Sequence, residues 1–343
     1  MFQRSGPALV LLAALVASSA GCALPMVLPV AVPRGEIETK TGITFAEAGG
    51  ETLKLDVARP TTGKGPWPAV VCIHGGGWVS GCRMSMRPWI EYLAVYGYVA
   101  VAPTYRLAPR HPFPAAVADV RNCVRWLRRH AKEYNIDPDH IGAMGLSAGG
   151  HLSLMLGLAS DDDRFGPEDE AETGESARVQ AVVNYFGPGN LVPRSWSEFA
   201  VRQYLVPFLG PDAKQREEKA RRASPLSYIS NDDPPVLTFH GDADSLVPPP
   251  QAYELHSRLS QAGLSNELQI LHRQDHGWGE PHLSRTRLDM IRFFDRHLKG
   301  PKAGRLLRAA TQAHCDPETC AQAAPISGRK VLITCPATAT APE

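Results

Sequence analysis

From Ala69 onward the chain repeats one pattern: a short unbroken apolar run, then a longer stretch in which apolar residues return every three or four positions. The runs are Ala69–Ile73, Tyr98–Val101, Ile141–Met144, Val179–Tyr185, Val236–Phe239 and Leu268–Leu271. Apolar residues without alternation suit strands covered on both faces, the condition of strands in a parallel sheet. Between most of the runs lie helical patterns, such as Ala115–Glu133 and Gln251–Ala262. In the first of these, Ala116, Val120, Cys123, Val124 and Leu127 share one face, and Arg121, Arg125, Arg128 and Arg129 fall largely away from it. Ahead of the repeat, Ile43–Ala46 and Leu53–Val57 flank Gly49-Gly50, which predicts a hairpin. Buried strands alternating with amphipathic helices predict an α/β fold, a mostly parallel central sheet with helices on both faces.

Two segments depart from the alternation. Ser160–Arg178 is acidic and contains Gly and Pro, so an exposed loop is expected there. Trp196–Arg222 has helical character and lies where a small lid could be inserted; a plain surface helix explains it equally well. After Gly300 the pattern stops, and residues 301–343 read as a cysteine-bearing, weakly structured C-terminal tail. Residues 37–300 form the expected α/β domain, and no internal repeat is found.

The N-terminus has a different logic. Arg4 supplies positive charge, Ala8–Val16 is almost wholly apolar, and Ala17-Ser18-Ser19-Ala20-Gly21-Cys22 follows. This is the order of a bacterial export signal, assigned to residues 1–21. The apolar run is shorter than the roughly 20 residues a membrane-spanning helix needs. Cys22, after small residues, has the place of a lipidated cysteine, although Ser19 stands where Leu or Val is usual; ordinary cleavage near Ala20 is the alternative. Lipidation predicts an exported, membrane-anchored protein. Residues 22–36, with Pro25, Pro29 and Pro33, read as a tether.

Charge and cysteines narrow the partners. With 36 Lys+Arg against 35 Asp+Glu the net charge is +1, and no basic stripe with interleaved aromatics appears, so no nucleic-acid partner is expected. Of the seven cysteines, Cys72 and Cys123 sit inside apolar elements and read as small buried thiols. Export makes disulfides possible among the others, with the pairing open. Cys315 and Cys320 lack the two-residue gap of a zinc pair, so metal binding is not expected.

The chemistry is concentrated in four short segments. Gly145-Leu146-Ser147-Ala148-Gly149 follows the run Ile141–Met144 and precedes the helical stretch Ala148–Leu158. In that setting G-x-S-x-G predicts a tight strand-to-helix turn that presents Ser147 as a nucleophile. His74-Gly75-Gly76-Gly77-Trp78 follows Ala69–Ile73, and its glycines can aim backbone N–H groups at a developing oxyanion. Gly76 and Gly77, with Ala148, are the candidate donors. A phosphate loop would carry Lys-Ser/Thr where Trp78-Val79 stands. Trp78 could wall the substrate pocket or pack beneath the loop.

After Val236–Phe239 comes His240-Gly241-Asp242-Ala243-Asp244, and after Leu268–Leu271 comes His272-Arg273-Gln274-Asp275-His276. Both segments lie at carboxyl ends of strands and follow the serine in the order acid, then base. Spacing barely separates Asp242 from Asp244. His276 is preferred to His272, which lies closer to its strand, and His74, His151 and His240 are expected to be structural, the first positioning the glycine loop.

Together, His74–Trp78, Tyr105-Arg106-Leu107-Ala108-Pro109, Phe113-Pro114-Ala115, Gly145–Gly150, His240–Pro248 and His276–Trp278 resemble the acetyl-esterase and feruloyl/acetyl-xylan-esterase branch of the α/β hydrolases, relatives of the hormone-sensitive-lipase-like esterases. The likeness spans Gly42 to Leu298. It implies an α/β-hydrolase fold, a Ser147–Asp244–His276 triad, with Asp244 selected by the H-G-x-x-D pattern, and hydrolysis of short acyl esters. Leu146 replaces the acidic residue that the lipase-like esterases usually carry there, which points to the xylan-esterase-like side. The implied substrate is a small ester or an acylated carbohydrate, and this hydrolytic chemistry calls for no organic cofactor. Two rival expectations remain: an arylformamidase-like amide hydrolase, disfavoured by export, and a non-catalytic binding module, disfavoured by the complete set of three residues.

Overall fold

The computed structural model describes residues 37–159, 165, 174–299 and 332–334. The proposed signal, Cys22, the tether and nearly all of the tail lie outside the described residues. The predicted hairpin is present and longer than expected: β1 (Ile37–Ala48) pairs antiparallel with β2 (Glu51–Pro60) across Gly49-Gly50. The apolar runs become β3 (Trp67–Ile73), β4 (Val99–Pro103), β5 (Ile136–Leu146), β6 (Ala181–Tyr185), β7 (Val236–Gly241) and β8 (Asn266–Leu271). A short β9 (Leu332–Thr334) joins β8 in parallel, so part of the tail belongs to the sheet, which its composition did not suggest.

The sheet order is β1-β2-β4-β3-β5-β6-β7-β8-β9, parallel from β4 to β9. Side chains alternate across it, and both faces are covered. In β3, Ala69, Val71 and Ile73 enter one core, and Val70 and Cys72 enter the other. The first core is closed by helices α2 (Ala115–Arg129), α3 (Ala148–Leu158) and α5 (Pro250–Gln261). The second is closed by α1 (Arg87–Val95) and α6 (His282–Leu298); the surface helix α4 (Ala213–Arg222) buries only Ala220. This is the α/β-hydrolase architecture. Strand β3 has β4 on one side and β5 on the other, so chain order reverses there and opens a crevice at the carboxyl ends.

The arginines of α2 lie off its apolar face, as expected, and three of them are bonded to carbonyls: Arg121 to that of Ala159, Arg125 to that of Glu175, and Arg128 to those of Ser176 and Arg178, while Arg129 is exposed. These guanidinium groups satisfy carbonyls that would otherwise need another donor. One expectation needs correction: Ser160–Arg178 is not wholly exposed. Phe165 and Ala177 are buried, and the Phe165 ring meets Phe113 and Tyr228.

Candidate active site

Ser147 occupies the turn between β5 and α3 with φ 55° and ψ −119°, a conformation that costs about 1–3 kcal/mol in a residue with a Cβ. Its surroundings impose it. Ser147 N–H donates to the Tyr185 carbonyl at 2.9 Å, and its carbonyl accepts from His151 N–H at 3.0 Å. The flanking glycines have no room for side chains. A Cβ on Gly145 would stand 2.2 Å from the Gly149 oxygen, and one on Gly149 would stand 2.1 Å from the Ile73 oxygen. The motif therefore records two backbone crossings, one within the turn and one against β3.

His276 completes a line through the turn. Its Nε2 is 2.8 Å from Ser147 Oγ, and its Nδ1 is 2.8 Å from Asp244 Oδ2. Asp244 is 5% exposed, and its Oδ1 accepts the N–H groups of Leu246 and Val247 at 2.9 and 2.8 Å. Burial alone would raise this carboxyl's pKa. Hydrogen bonds from His240, His276 and the backbone outweigh it and hold the carboxyl well below the usual carboxylate range. Asp242 stands elsewhere, bonded to His272 Nδ1 at 2.7 Å and to Arg273 N–H at 2.6 Å. The structure thus joins Ser147 to Asp244 and His276, and leaves Asp242 and His272 outside.

The base loop is clamped by contacts that the sequence did not announce. A Cβ on Gly241 would lie 2.1 Å from the Gln274 oxygen, so only glycine lets the acid loop press on the base loop. Asp275 Oδ1 accepts His276 N–H and Ser245 N–H, each at 2.8 Å, bridging the same two loops. The Phe186 ring packs on the His276 imidazole at 4.8 Å. Asp275 had one signal, a carboxylate adjacent to the base; Phe186 had none.

Gly76, Gly77 and Ala148 line one cavity of about 220 Å³ with Ser147 and His276. Among the described residues no backbone carbonyl accepts from the N–H of either glycine. Ala148 is the first residue of α3, whose leading N–H groups have no acceptor within the helix. Three donors can therefore serve a negative oxygen beside Ser147. His74 is buried and stacked on Tyr105 at 4.2 Å, and burial pushes its pKa down to about 4. His151, also buried, is pushed down to about 4 for the same reason and accepts from Trp78 Nε1 at 3.2 Å. Trp78 is 2% exposed, stacks on Phe208 at 4.4 Å and also borders the cavity.

The segment Trp196–Arg222 divides in the same way. Its first half roofs the cavity with Trp196 and Tyr204, and its second half is the surface helix α4. Tyr204 rides on a π-turn, Val201–Leu205, and its ring lies where a Gly77 side chain would be, 2.1 Å from an added Cβ.

Comparison with known proteins follows this geometry. The BD-FAE family model matches residues 55–259, more than half of the chain and including Ser147 and Asp244. A probable carboxylic ester hydrolase, LipM, from Mycobacterium tuberculosis is 36% identical over 204 residues, 57% of this chain and 46% of that protein. The esterase LipC of the same organism is 34% identical over 200 residues, 57% of this chain and 48% of its own length. The chain thus spans about half the length of the curated relatives it matches. Among solved structures, a propionate-bound thermophilic esterase, Est2, from Thermogutta terrifontis superposes with TM-score 0.63 and 28% identity, covering 78% of this chain and 95% of its own. A truncated carbohydrate esterase from gut microbiota gives 0.65 and 26%, covering 76% and 96%.

Proposed function

The chain belongs to the BD-FAE family, and from that premise we propose that it is a carboxylic ester hydrolase acting through an acyl-Ser147 intermediate. The observation that carries this reading is the continuous line Ser147 Oγ, His276 and Asp244, with both hydrogen bonds at 2.8 Å. His276 Nε2 takes the hydroxyl proton as Oγ attacks the ester carbonyl carbon. Negative charge grows on the carbonyl oxygen, where the N–H groups of Gly76, Gly77 and Ala148 receive it. A single donor of this kind is worth about 3 kcal/mol. The imidazolium then protonates the departing alcohol, and water repeats the sequence to free the acid. Asp244 keeps the tautomer and stabilises the imidazolium without taking the proton.

The acyl group is proposed to be short, of the acetyl type. The cavity is modest and roofed by Trp196 and Tyr204, and the Thermogutta relative binds propionate. Each buried CH₂ contributes up to about 0.8 kcal/mol, so a long apolar tunnel would favour long chains and this cavity would not. The likeness to a carbohydrate esterase extends the proposal to acylated carbohydrates such as acetylated xylan. A panel of nitrophenyl esters of rising chain length, with acetylated xylan and feruloyl esters, tests it. A peak in kcat/KM at roughly ten carbons or more overturns the short-chain claim. Export and anchoring through Cys22 belong to the same proposal, and Cys22→Ser should release the protein from the membrane fraction.

A further inference from the structure

His240 is the last residue but one of β7 and is completely buried, and the hydrolytic scheme above gives it no role. Its Nε2 lies 2.9 Å from the Val247 carbonyl and 3.2 Å from Asp244 Oδ2. Both neighbours accept and neither donates, so Nε2 carries the proton. Among the described residues nothing bonds its Nδ1. A second proton there would be an unmet N–H on a buried cation, which is costly, so the ring is neutral. Asp244 is closely held: Oδ1 takes two backbone N–H groups, and Oδ2 is bonded to His276 and lies 3.2 Å from His240 Nε2, close enough to share its proton with Val247.

We propose that His240 is a positioning residue for Asp244, and that its shared Nε2–H fixes which carboxylate oxygen faces His276 and limits how strongly that oxygen binds it. This rests on the reading of Asp244 and His276 as working partners. The Val247 carbonyl holds the imidazole in place, and Val247 N–H holds the far carboxylate oxygen, so one residue ties both ends of the arrangement. The serine proton moves only to His276; His240 and Asp244 exchange none. Among the described residues, the further ionisable group bonded to this arrangement is Asp275, from the loop after β8, whose carboxylate accepts His276 N–H. Without His240, Oδ2 would serve His276 alone and bind its imidazolium more strongly. The acidic limb of the pH–rate profile should therefore move to higher pH.

The test compares His240→Gln, His240→Asn and His240→Leu in the full chain. Glutamine can place an N–H where Nε2 stands, whereas the shorter asparagine amide ends near the Nδ1 position. An NMR titration of the His276 ring needs no substrate, so it decides this proposal even if the esterase reading fails. In His240→Leu and His240→Asn the His276 midpoint should rise by about one pH unit, the equivalent of losing a tenfold preference. On esters these variants should lose about tenfold in kcat with KM changed less than about twofold, and His240→Gln should track the native protein in both measurements. If His240→Leu does not fold, the Gln–Asn pair decides. Equal titrations for Gln and Asn, or a native titration in either His240→Leu or His240→Asn, overturn the proposal.

Discussion

Two aspartate–histidine pairs connect the loop after β7 to the loop after β8, with nearly the same bond lengths. Asp244 Oδ2 meets His276 Nδ1 at 2.8 Å, and Asp242 Oδ2 meets His272 Nδ1 at 2.7 Å. Their surroundings differ. The Asp244 and His276 side chains are 0% and 18% exposed, and those of Asp242 and His272 are 32% and 52% exposed. The inner carboxylate is bonded by two backbone N–H groups and His276, with His240 Nε2 at 3.2 Å, and its imidazole points at a hydroxyl held in a strained turn. The outer imidazole faces water. The two pairs are therefore distinguished by where the second nitrogen points and by how dry the carboxylate is, since one carboxylate–imidazole bond looks like another.

The largest test of this contrast removes what the inner pair acts on. Ser147→Ala should lower kcat by roughly 10⁴-fold or more, with residual hydrolysis from the N–H donors. Turnover close to native in the purified variant would show that the inner line is not the catalytic one. Asp244→Asn comes next. An amide can present an N–H to His276 and favour the wrong tautomer, so kcat should fall by about 10³–10⁴-fold while the protein still folds. A loss of tenfold or less, measured at saturating ester, would mean that burial of the pair does not matter in the way argued.

Burial also separates other imidazoles, with a smaller effect that is read in stability. His74 and His151 each have a pKa pushed down to about 4 by desolvation, against an ordinary value of 6.5. Between those limits the unfolded chain binds protons that the folded chain refuses, so stability must fall as pH drops from about 6.5 toward about 4. The cost is on the order of 2 kcal/mol per histidine by pH 5. The carboxyl of Asp244, whose pKa is lowered, contributes stability that is lost only as pH falls below its ordinary 3.8, beneath most of this window. Urea midpoints at pH 7 and pH 5 check the sign, and an equal or higher midpoint at pH 5 refutes it.

The contrast also shows what the sequence can carry. The serine turn was legible because Gly145 and Gly149 are forced by backbone contacts of 2.2 and 2.1 Å, and such contacts exclude every other residue. The strands were legible because burial on both faces leaves unbroken apolar runs. The choice of Asp244 over Asp242 was not legible from spacing, because the turn geometry that sends one carboxylate inward appears only when Gly241 meets Gln274; family pattern supplied it. His240 looked structural because a buried histidine reads the same whether its N–H meets a carbonyl or also a working carboxylate. The partners of the α2 arginines were not legible, because the carbonyls that Arg121, Arg125 and Arg128 meet lie 38 to 50 residues away along the chain. The placing of Tyr204 against the cavity depends on a π-turn, which has no sequence period of its own.

The smallest effect should come from the outer pair. Asp242 is held below the usual carboxylate range by its hydrogen bond to His272, with help from Arg273 N–H, so it is ionised whenever the inner site works. An exposed pair of this kind gains little from its Coulomb attraction, because water screens it and two side chains must be ordered; its worth is about 0–1 kcal/mol. Asp242→Asn keeps an acceptor for Arg273 N–H and can still bond His272. The variant should therefore stay within about twofold of native kcat, and its stability should change by less than about 1 kcal/mol. It should also be insensitive to what happens inside: combined with Asp244→Asn, the two losses should add, since residues without a shared partner do not couple. His276 is the residue that could couple them, and of the two aspartates it is bonded only to Asp244. Should Asp242→Asn reduce activity as much as Asp244→Asn, or should the double variant lose far less than the sum, the two pairs would be one network and the distinction between a wet pair and a dry one would fail.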